Sequence, residues 1–224
     1  MNRILIHSAF LLVLLADMNA CQNRTDGVED LSSYVNPFIG TSVKADTEQS
    51  FNSMGKTFPG AATPFGMTQV SPNTITGGDN GSGYGYQHKT IEGFAFTQMS
   101  GIGWYGDLGN FLVMPTTGEL HVVAGKESDP EKKGYRSEYD KASEAASAGY
   151  YTARLTKYDI LTEATASPHG GALRFTYPAS DLSRIQIDLA RRVGETSTTQ
   201  YEVGGQSGLR KTTIIANSLA HRTT

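Results

Sequence analysis

Hydrophobic and polar residues alternate with a period of two through the later part of the chain. In YTARLTKY, Tyr151, Ala153 and Leu155 share one side while Thr152, Arg154 and Thr156 share the other. In ALRFTYP, Leu173, Phe175 and Tyr177 alternate with Arg174 and Thr176, and in RIQIDLA, Ile185, Ile187 and Leu189 alternate with Gln186 and Asp188. Such a period predicts strands with one dry and one wet face. Upstream, TQVSP, GFAFTQM, FLVMPTTGEL and HVVAG are short β-prone runs punctuated by glycine and proline. Many short strands joined by tight turns predict an all-β chain built as an antiparallel β-sandwich. One segment dissents. SEYDKASEAASA (Ser137–Ala148) has helix-forming composition but no apolar stripe, and reads as an exposed loop with at most a short helix.

Composition sharpens this picture. The chain has 224 residues, a formal net charge of −3, 25 glycines and 11 tyrosines. That length suits one large or two small domains, and the glycine and tyrosine content favours a turn-rich β protein. The mild acidity, with no basic patch to neutralise phosphates, argues against nucleic acid as a partner. At the N-terminus, Arg3 and the apolar run AFLLVLLA form a signal-like segment too short to span a membrane. It ends at DMNAC, where Ala20 precedes Cys21, the single cysteine. This arrangement resembles a bacterial lipoprotein cleavage site. It predicts removal of residues 1–20, a lipid on Cys21 and a polar tether over residues 21–33, with the folded part starting at Tyr34. The alternative is ordinary signal cleavage with a leftover thiol. One cysteine excludes a disulfide within the chain.

The stretch TFPGAATPFGM (Thr57–Met67) holds two prolines, two phenylalanines and two glycines without a charge. It reads as a rigid, glycine-hinged loop made to face something other than water. GGDNGSGYGY (Gly77–Tyr86) is either a loop whose backbone approaches a ligand or neighbouring domain, or a flexible hairpin connection. GIGWYG (Gly101–Gly106) matches G-x-G-x-x-G, but DLGNFLVMP follows it, which is strand-like. The helix N-terminus that a dinucleotide needs is therefore missing. Near these loops lie Asp46, Glu48, Asp79, Glu92 and Asp107. Asp107, set among small and apolar residues, reads as a backbone anchor first and a ligand contact second. The five histidines have no metal-ligand spacing, no G-x-S-x-G occurs, and no catalytic or metal-binding residue is assigned.

Taken in order, YVNPFIGT (Tyr34–Thr41), TFPGAATPFGM, SGYGYQHKTIEGFAFTQMSGIG (Ser82–Gly103), YGDLGNFLVMPTTGEL (Tyr105–Leu120), AGYYTARLTKYDILTEATASPHGGALRFTYP (Ala148–Pro178) and DLARRVGETSTTQY (Asp188–Tyr201) resemble the N-terminal domain of glycoside hydrolase family 92. These are calcium-dependent exo-acting α-mannosidases. The resemblance covers residues 34–201. It implies a β-sandwich packed on a C-terminal (α/α)6 catalytic barrel, a mannose-containing glycan as substrate, and inversion at the anomeric carbon by a paired acid and base. It places those two residues and most of the calcium site in the barrel, so this chain alone is expected to be inactive and to bind no calcium. It also implies that loops of this domain form the pocket rim, for which the candidates are Phe58, Gly60, Phe65, Gly66, Gly78, Trp104 and Asp107. With no barrel over them, Phe58, Pro59, Pro64 and Phe65 are expected to be exposed.

Two departures from the family pattern stand out. Where W-D-G-C-S-G-Y is common, this chain reads GDNGSGY, with Gly78 and Gly81 in place of tryptophan and cysteine. Phe96 and Gln98 stand where the family often has histidines. The usual stacking platform for the leaving-group sugar is thus absent unless Trp104 supplies one. Residues 202–224 read as a divergent or frame-shifted tail. Export to the outer membrane, cell surface or periplasm of a Gram-negative bacterium follows from the leader, with membrane contact only through the lipid. A stand-alone carbohydrate-binding or adhesive surface lipoprotein is the competing function, and a small enzyme complete in itself is a third.

Overall fold

The computed structural model describes residues 30–42, 56–74, 82–100, 108–128, 131 and 134–189, together with the backbone of 213–217. The fold lies within the unit Ser33–Thr224. Among the described residues the single helical element is a 3-10 turn at Leu31–Tyr34, and the named strands pair antiparallel throughout.

One sheet has six strands. They are β1 (Ala61–Ala62), β2 (Gln69–Asn73), β4 (Gly93–Ala95), β5 (Leu112–Thr116), β11 (Arg184–Asp188) and β12 (Thr213–Asn217), side by side in that order. A second sheet of four runs in the order β10 (Gly170–Thr176), β9 (Ile160–Ser167), β8 (Tyr150–Leu155) and β7 (Ala145–Ser147). A small ladder joins β3 (Thr90–Ile91) to β6 (Ser137–Glu138).

The four-stranded sheet lies against β1 and β2, which makes the predicted sandwich. Cross-strand partners share a face, so Pro72, Phe94, Val113 and Ile187 line the inner side of the larger sheet. Phe94 is fully buried, with its ring centroid 6.3 Å from Tyr151 and 6.2 Å from Phe175. From the facing sheet, Tyr151, Ala153, Leu155, Ile160 and Ala164 complete the core, with Leu173, Phe175 and Tyr177 packed at its margin. The alternation in YTARLTKY and ALRFTYP therefore assigns both faces correctly. Gly171 permits this packing, because a Cβ there would stand 2.3 Å from Val70 Cγ2.

Three segments differ from expectation. Ser137–Ala148 supplies β6 and β7 rather than a loop, because Ala145, Ala146 and Ser147 find register with Thr152, Tyr151 and Tyr150. HVVAG forms no strand and leaves Val122 and Val123 exposed. In RIQIDLA the wet and dry faces are exchanged: Gln186 and Asp188 are buried, while Ile185 and Ile187 are half-buried. The four-stranded sheet reaches β1 and β2 but leaves β11 only partly covered. Residues 121–135 supply partners to the polar side of β11. Gln186 Nε2 donates to His121 O at 2.8 Å, Thr116 Oγ1 donates to Gln186 Oε1 at 3.0 Å, and Tyr135 OH donates to Asp188 Oδ2 at 2.7 Å. Hydrogen-bonded groups of this kind are buried without a net desolvation penalty.

The outer face of the four-stranded sheet is polar. Arg174 grips Glu163 through Nε and NH2, and Tyr150 OH donates to the same carboxylate at 2.6 Å. These bonds, Arg174 first, hold the Glu163 carboxyl down to about 2. A carboxyl depressed in the folded state contributes stability above its unfolded value, and that contribution is lost as the pH falls from about 4.5 to about 2. Glu163→Gln is therefore expected to lower Tm at pH 7 and to flatten the acid limb of the Tm profile. Parallel acid limbs in the two proteins would show that the carboxylate is not engaged in solution.

Candidate functional site

Because β2 and β5 both run antiparallel to β4, the residues entering them lie at one end of the larger sheet. Phe65, Gly66 and Met67 lead into β2, and Phe111 leads into β5. The β9–β10 turn joins them, since Met67 N donates to Pro168 O at 2.8 Å. The chain leaves the same end after Ser100 and returns at Leu108, with Gly109 N donating to Thr97 O at 3.1 Å.

The TFPGAATPFGM loop divides into two halves. Phe58 (7 % exposed) and Pro59 turn inward, contrary to their expected exposure. Gly60 is wedged against β2, where a Cβ would meet Val70 O at 2.2 Å and Ser71 Cα at 2.6 Å. Thr57 fastens the loop's start by donating from Oγ1 to Ile39 O at 2.7 Å. The second half projects. Gly66 N donates to Thr63 O at 3.0 Å, closing a turn that carries Phe65 at its tip with φ +57° and full exposure (106 %). Met67 is 80 % exposed and Phe111, also at φ +57°, is 57 % exposed. A bulky side chain in the left-handed region is a steric outlier. Phe111 escaped the sequence reading, and its position after Gly109–Asn110 is the signal that could have flagged it. Gly78, Trp104, Asp107 and Cys21 lie outside the described residues, so the structure gathers Phe58, Gly60, Phe65 and Gly66 only.

Where the chain leaves β2 and enters β4, at the opposite end of that ladder, lies a buried polar layer that the sequence did not disclose. Arg136 donates to Glu92 Oε1 through NH2, and to Thr74 O and Thr90 Oγ1 through NH1, both at 2.9 Å. Glu92 Oε2 accepts from Asn73 Nδ2 at 2.8 Å, and Asn73 Oδ1 accepts from Gln98 Nε2 at 3.3 Å. A second cluster centres on Glu144. Tyr84 OH and Tyr151 OH donate to its Oε1 at 2.7 and 2.8 Å, and Lys141 Nζ donates to its Oε2 at 2.8 Å. The Lys141 ammonium also lies 4.3 Å from the Tyr86 ring centroid and 4.6 Å from that of Tyr139, within cation–π reach. Burial pushes the Tyr84 and Tyr151 phenols well up, so they remain donors at physiological pH. Burial also lowers the Lys141 amine, against the opposing pull of Glu144.

Glu92, Glu144 and Asp188 are thus each committed to a cation, amide or phenol partner. Among the described residues no three His, Cys, Asp or Glu side chains converge on a metal position. The resemblance places most of the calcium site in the barrel, and the described residues offer no ligand set for it.

Comparison with known proteins completes the picture. Residues 34–217 match the glycosyl hydrolase family 92 N-terminal domain. A family GH92 α-mannosidase from Bacteroides thetaiotaomicron is 42% identical and superposes with a TM-score of 0.66 over 74% of this chain and 21% of its own. The same enzyme has been solved with mannoimidazole bound; that structure is 41% identical, with a TM-score of 0.66 over 74% of this chain and 20% of its own. A family GH92 inverting mannosidase from the same species is 26% identical, with a TM-score of 0.56 over 70% of this chain and 19% of its own. An uncharacterised secreted glycosidase of Arthroderma benhamiae is 26% identical over 149 residues, 66% of this chain and 18% of that protein. The chain spans about one fifth of the length of the relatives it matches. With an antiparallel sandwich and a match running from Tyr34 to Asn217, this chain belongs to glycosyl hydrolase family 92, of which it carries the N-terminal domain.

Proposed function

We propose that this chain is the N-terminal domain of an α-mannosidase-like glycoside hydrolase acting on mannose-containing glycans. Its loop end packs on a C-terminal catalytic barrel and lines the rim of the sugar pocket. One observation carries the reading: Phe65, Met67 and Phe111 are held outward at that end, two of them in the left-handed conformation. Such backbone strain costs on the order of 1–3 kcal/mol per residue and persists where function requires it. A ring standing fully clear of its own surface suits insertion into a partner's pocket, as interface anchors do. The mannoimidazole complex of a relative supports mannose as the sugar class. Inverting hydrolysis needs two free carboxyl groups about 6.5–9.5 Å apart. Glu92, Glu144 and Asp188 are engaged, which supports the family's implied placing of the acid, the base and calcium in the barrel.

The purified chain is expected to self-associate, to bind a hydrophobic dye, and to release no mannose from α-mannosides in calcium. Phe65→Ser with Phe111→Ser should cut dye binding several-fold. A separately produced C-terminal portion of a family enzyme should bind the unaltered chain and lose most of that affinity for the double variant. Mannose release by the chain alone, or equal binding of both forms, would refute the assignment. Export as a lipoprotein belongs to the same proposal. A palmitate analogue should label the wild type and leave Cys21→Ser unlabelled, and equal labelling would end that part of it.

A further inference from the structure

Phe65, Met67 and Phe111 stand at one end of the sheet because Thr97 ties their segments together. Gln69, two residues beyond Met67, bridges to Thr97, and Gln98 N donates to Gln69 O at 3.2 Å. Thr97 also accepts from Gly109 N at 3.1 Å and, through Oγ1, from Asn110 N at 3.3 Å, immediately before Phe111. Met67 is the chemically distinct member of the three. Its backbone is pinned by the bond from its N–H to Pro168 O and by the Thr63–Gly66 turn before it, where a Cβ on Gly66 would stand 2.3 Å from Thr63 Oγ1. Its side chain is 80% exposed, whereas Met99 is half-buried and Met114 is 1% exposed. A fixed backbone thus holds one thioether in water, at the same end of the sheet as two exposed rings.

A thioether reacts with peroxides and a phenyl ring does not. The sulfur lone pair attacks one oxygen of a hydroperoxide, the O–O bond breaks, and the proton passes to the departing oxygen, which leaves as water or an alcohol. Sulfur is oxidised by two electrons and the peroxide is reduced by two. The sulfoxide is polar and chiral, and it disrupts the apolar contacts that methionine makes. At a buried methionine this change damages the core. At Met67 it alters the surface alone.

We propose that Met67 is an oxidation-sensitive contact of the docking face: a hydroperoxide converts its thioether to the sulfoxide and weakens packing on the catalytic barrel, and docking in turn shields the sulfur. The proposal rests on the reading above that this loop end packs on the barrel. Shielding follows from linkage, because two events that exclude each other on one side chain must each oppose the other.

The test treats the full chain with hydrogen peroxide, removes the peroxide, and maps sulfoxide by peptide mass spectrometry. Met67 should oxidise at least about tenfold faster than Met114. The oxidised chain should keep its Tm within a few degrees, bind a separately produced C-terminal portion of a family enzyme about tenfold more weakly, and recover on treatment with methionine sulfoxide reductases. Met67→Leu should have the same affinity before and after peroxide. In the complex, oxidation of Met67 should slow by about tenfold relative to the free chain. Equal oxidation rates at Met67 and Met114, full affinity with Met67 oxidised, or a Met67→Leu chain that loses affinity to peroxide as the wild type does would each overturn the proposal. So would an oxidation rate at Met67 that docking leaves unchanged. An untreated chain that fails to bind refutes the packing reading and the switch with it; an untreated chain that binds no better than the oxidised one refutes the switch alone.

Discussion

Phe94→Ala is expected to lower Tm by about 10–15 °C and to leave a large fraction of the chain unfolded at 37 °C. Phe94 has no exposed surface, and its ring lies beside both Tyr151 and Phe175 across the sandwich. Its cross-strand partners Pro72 and Val113 belong to two different strands, so no single neighbour can move in to fill the gap. Removing a buried phenyl ring costs about 3–5 kcal/mol when the cavity does not collapse. Domains of this size hold about 5–15 kcal/mol in total, and each kcal/mol shifts Tm by about 2–4 °C. Ile185, only half-buried on β11, provides the contrast: Ile185→Ala should cost well under half as much. A thermal melt followed by far-ultraviolet circular dichroism decides it. Equal losses at both positions would mean that the two sheets are not joined through Phe94.

Gly60→Ala is expected to be nearly as damaging, for a different reason. The added methyl would meet Val70 O at 2.2 Å, Ser71 Cβ at 2.5 Å and Ser71 Cα at 2.6 Å, none of which is the free end of a flexible side chain. Relief requires the backbone of the loop or of β2 to shift, and overpacking costs about 1–3 kcal/mol, with the upper end expected where backbone must move. Because β2 carries Val70 into the core, the displacement would reach the sandwich itself. Gly118→Ala is the control. That glycine has φ +74° but nothing within 4 Å of the new Cβ, so only backbone strain of about 1 kcal/mol applies. Comparable Tm losses at Gly60 and Gly118 would show that conformational strain, not the clash, governs the loop. A Gly60→Ala protein that melts like wild type would return Gly60 to the role of a rim residue open to solvent.

Several features were open to reading from the chain itself. A period of two is a local property, so Tyr151, Ala153 and Leu155 could be placed on one face without knowing what they touch. The family membership was legible too, because an ordered set of short motifs survives in the linear sequence whatever the fold does with them. The hinge in TFPGAATPFGM was visible as glycine and proline, but its division into a buried half at Phe58 and a projecting half at Phe65 was not.

What the sequence by itself determined is the class of structure: which residues share a strand face, where the chain turns, and which family it joins, since each depends on neighbours a few positions apart. The tertiary structure alone decided which of two faces is covered and which charges meet. β11 shows the first point, where Gln186 and Asp188 are buried because residues 121–135 bring His121 O and Tyr135 OH to them. Arg136 and Glu92 show the second, 44 positions apart and joined only because β3–β6 pairing draws their segments together. Burial and ion pairing are properties of distance in space, and a linear pattern holds no record of which distant segment arrives to satisfy them.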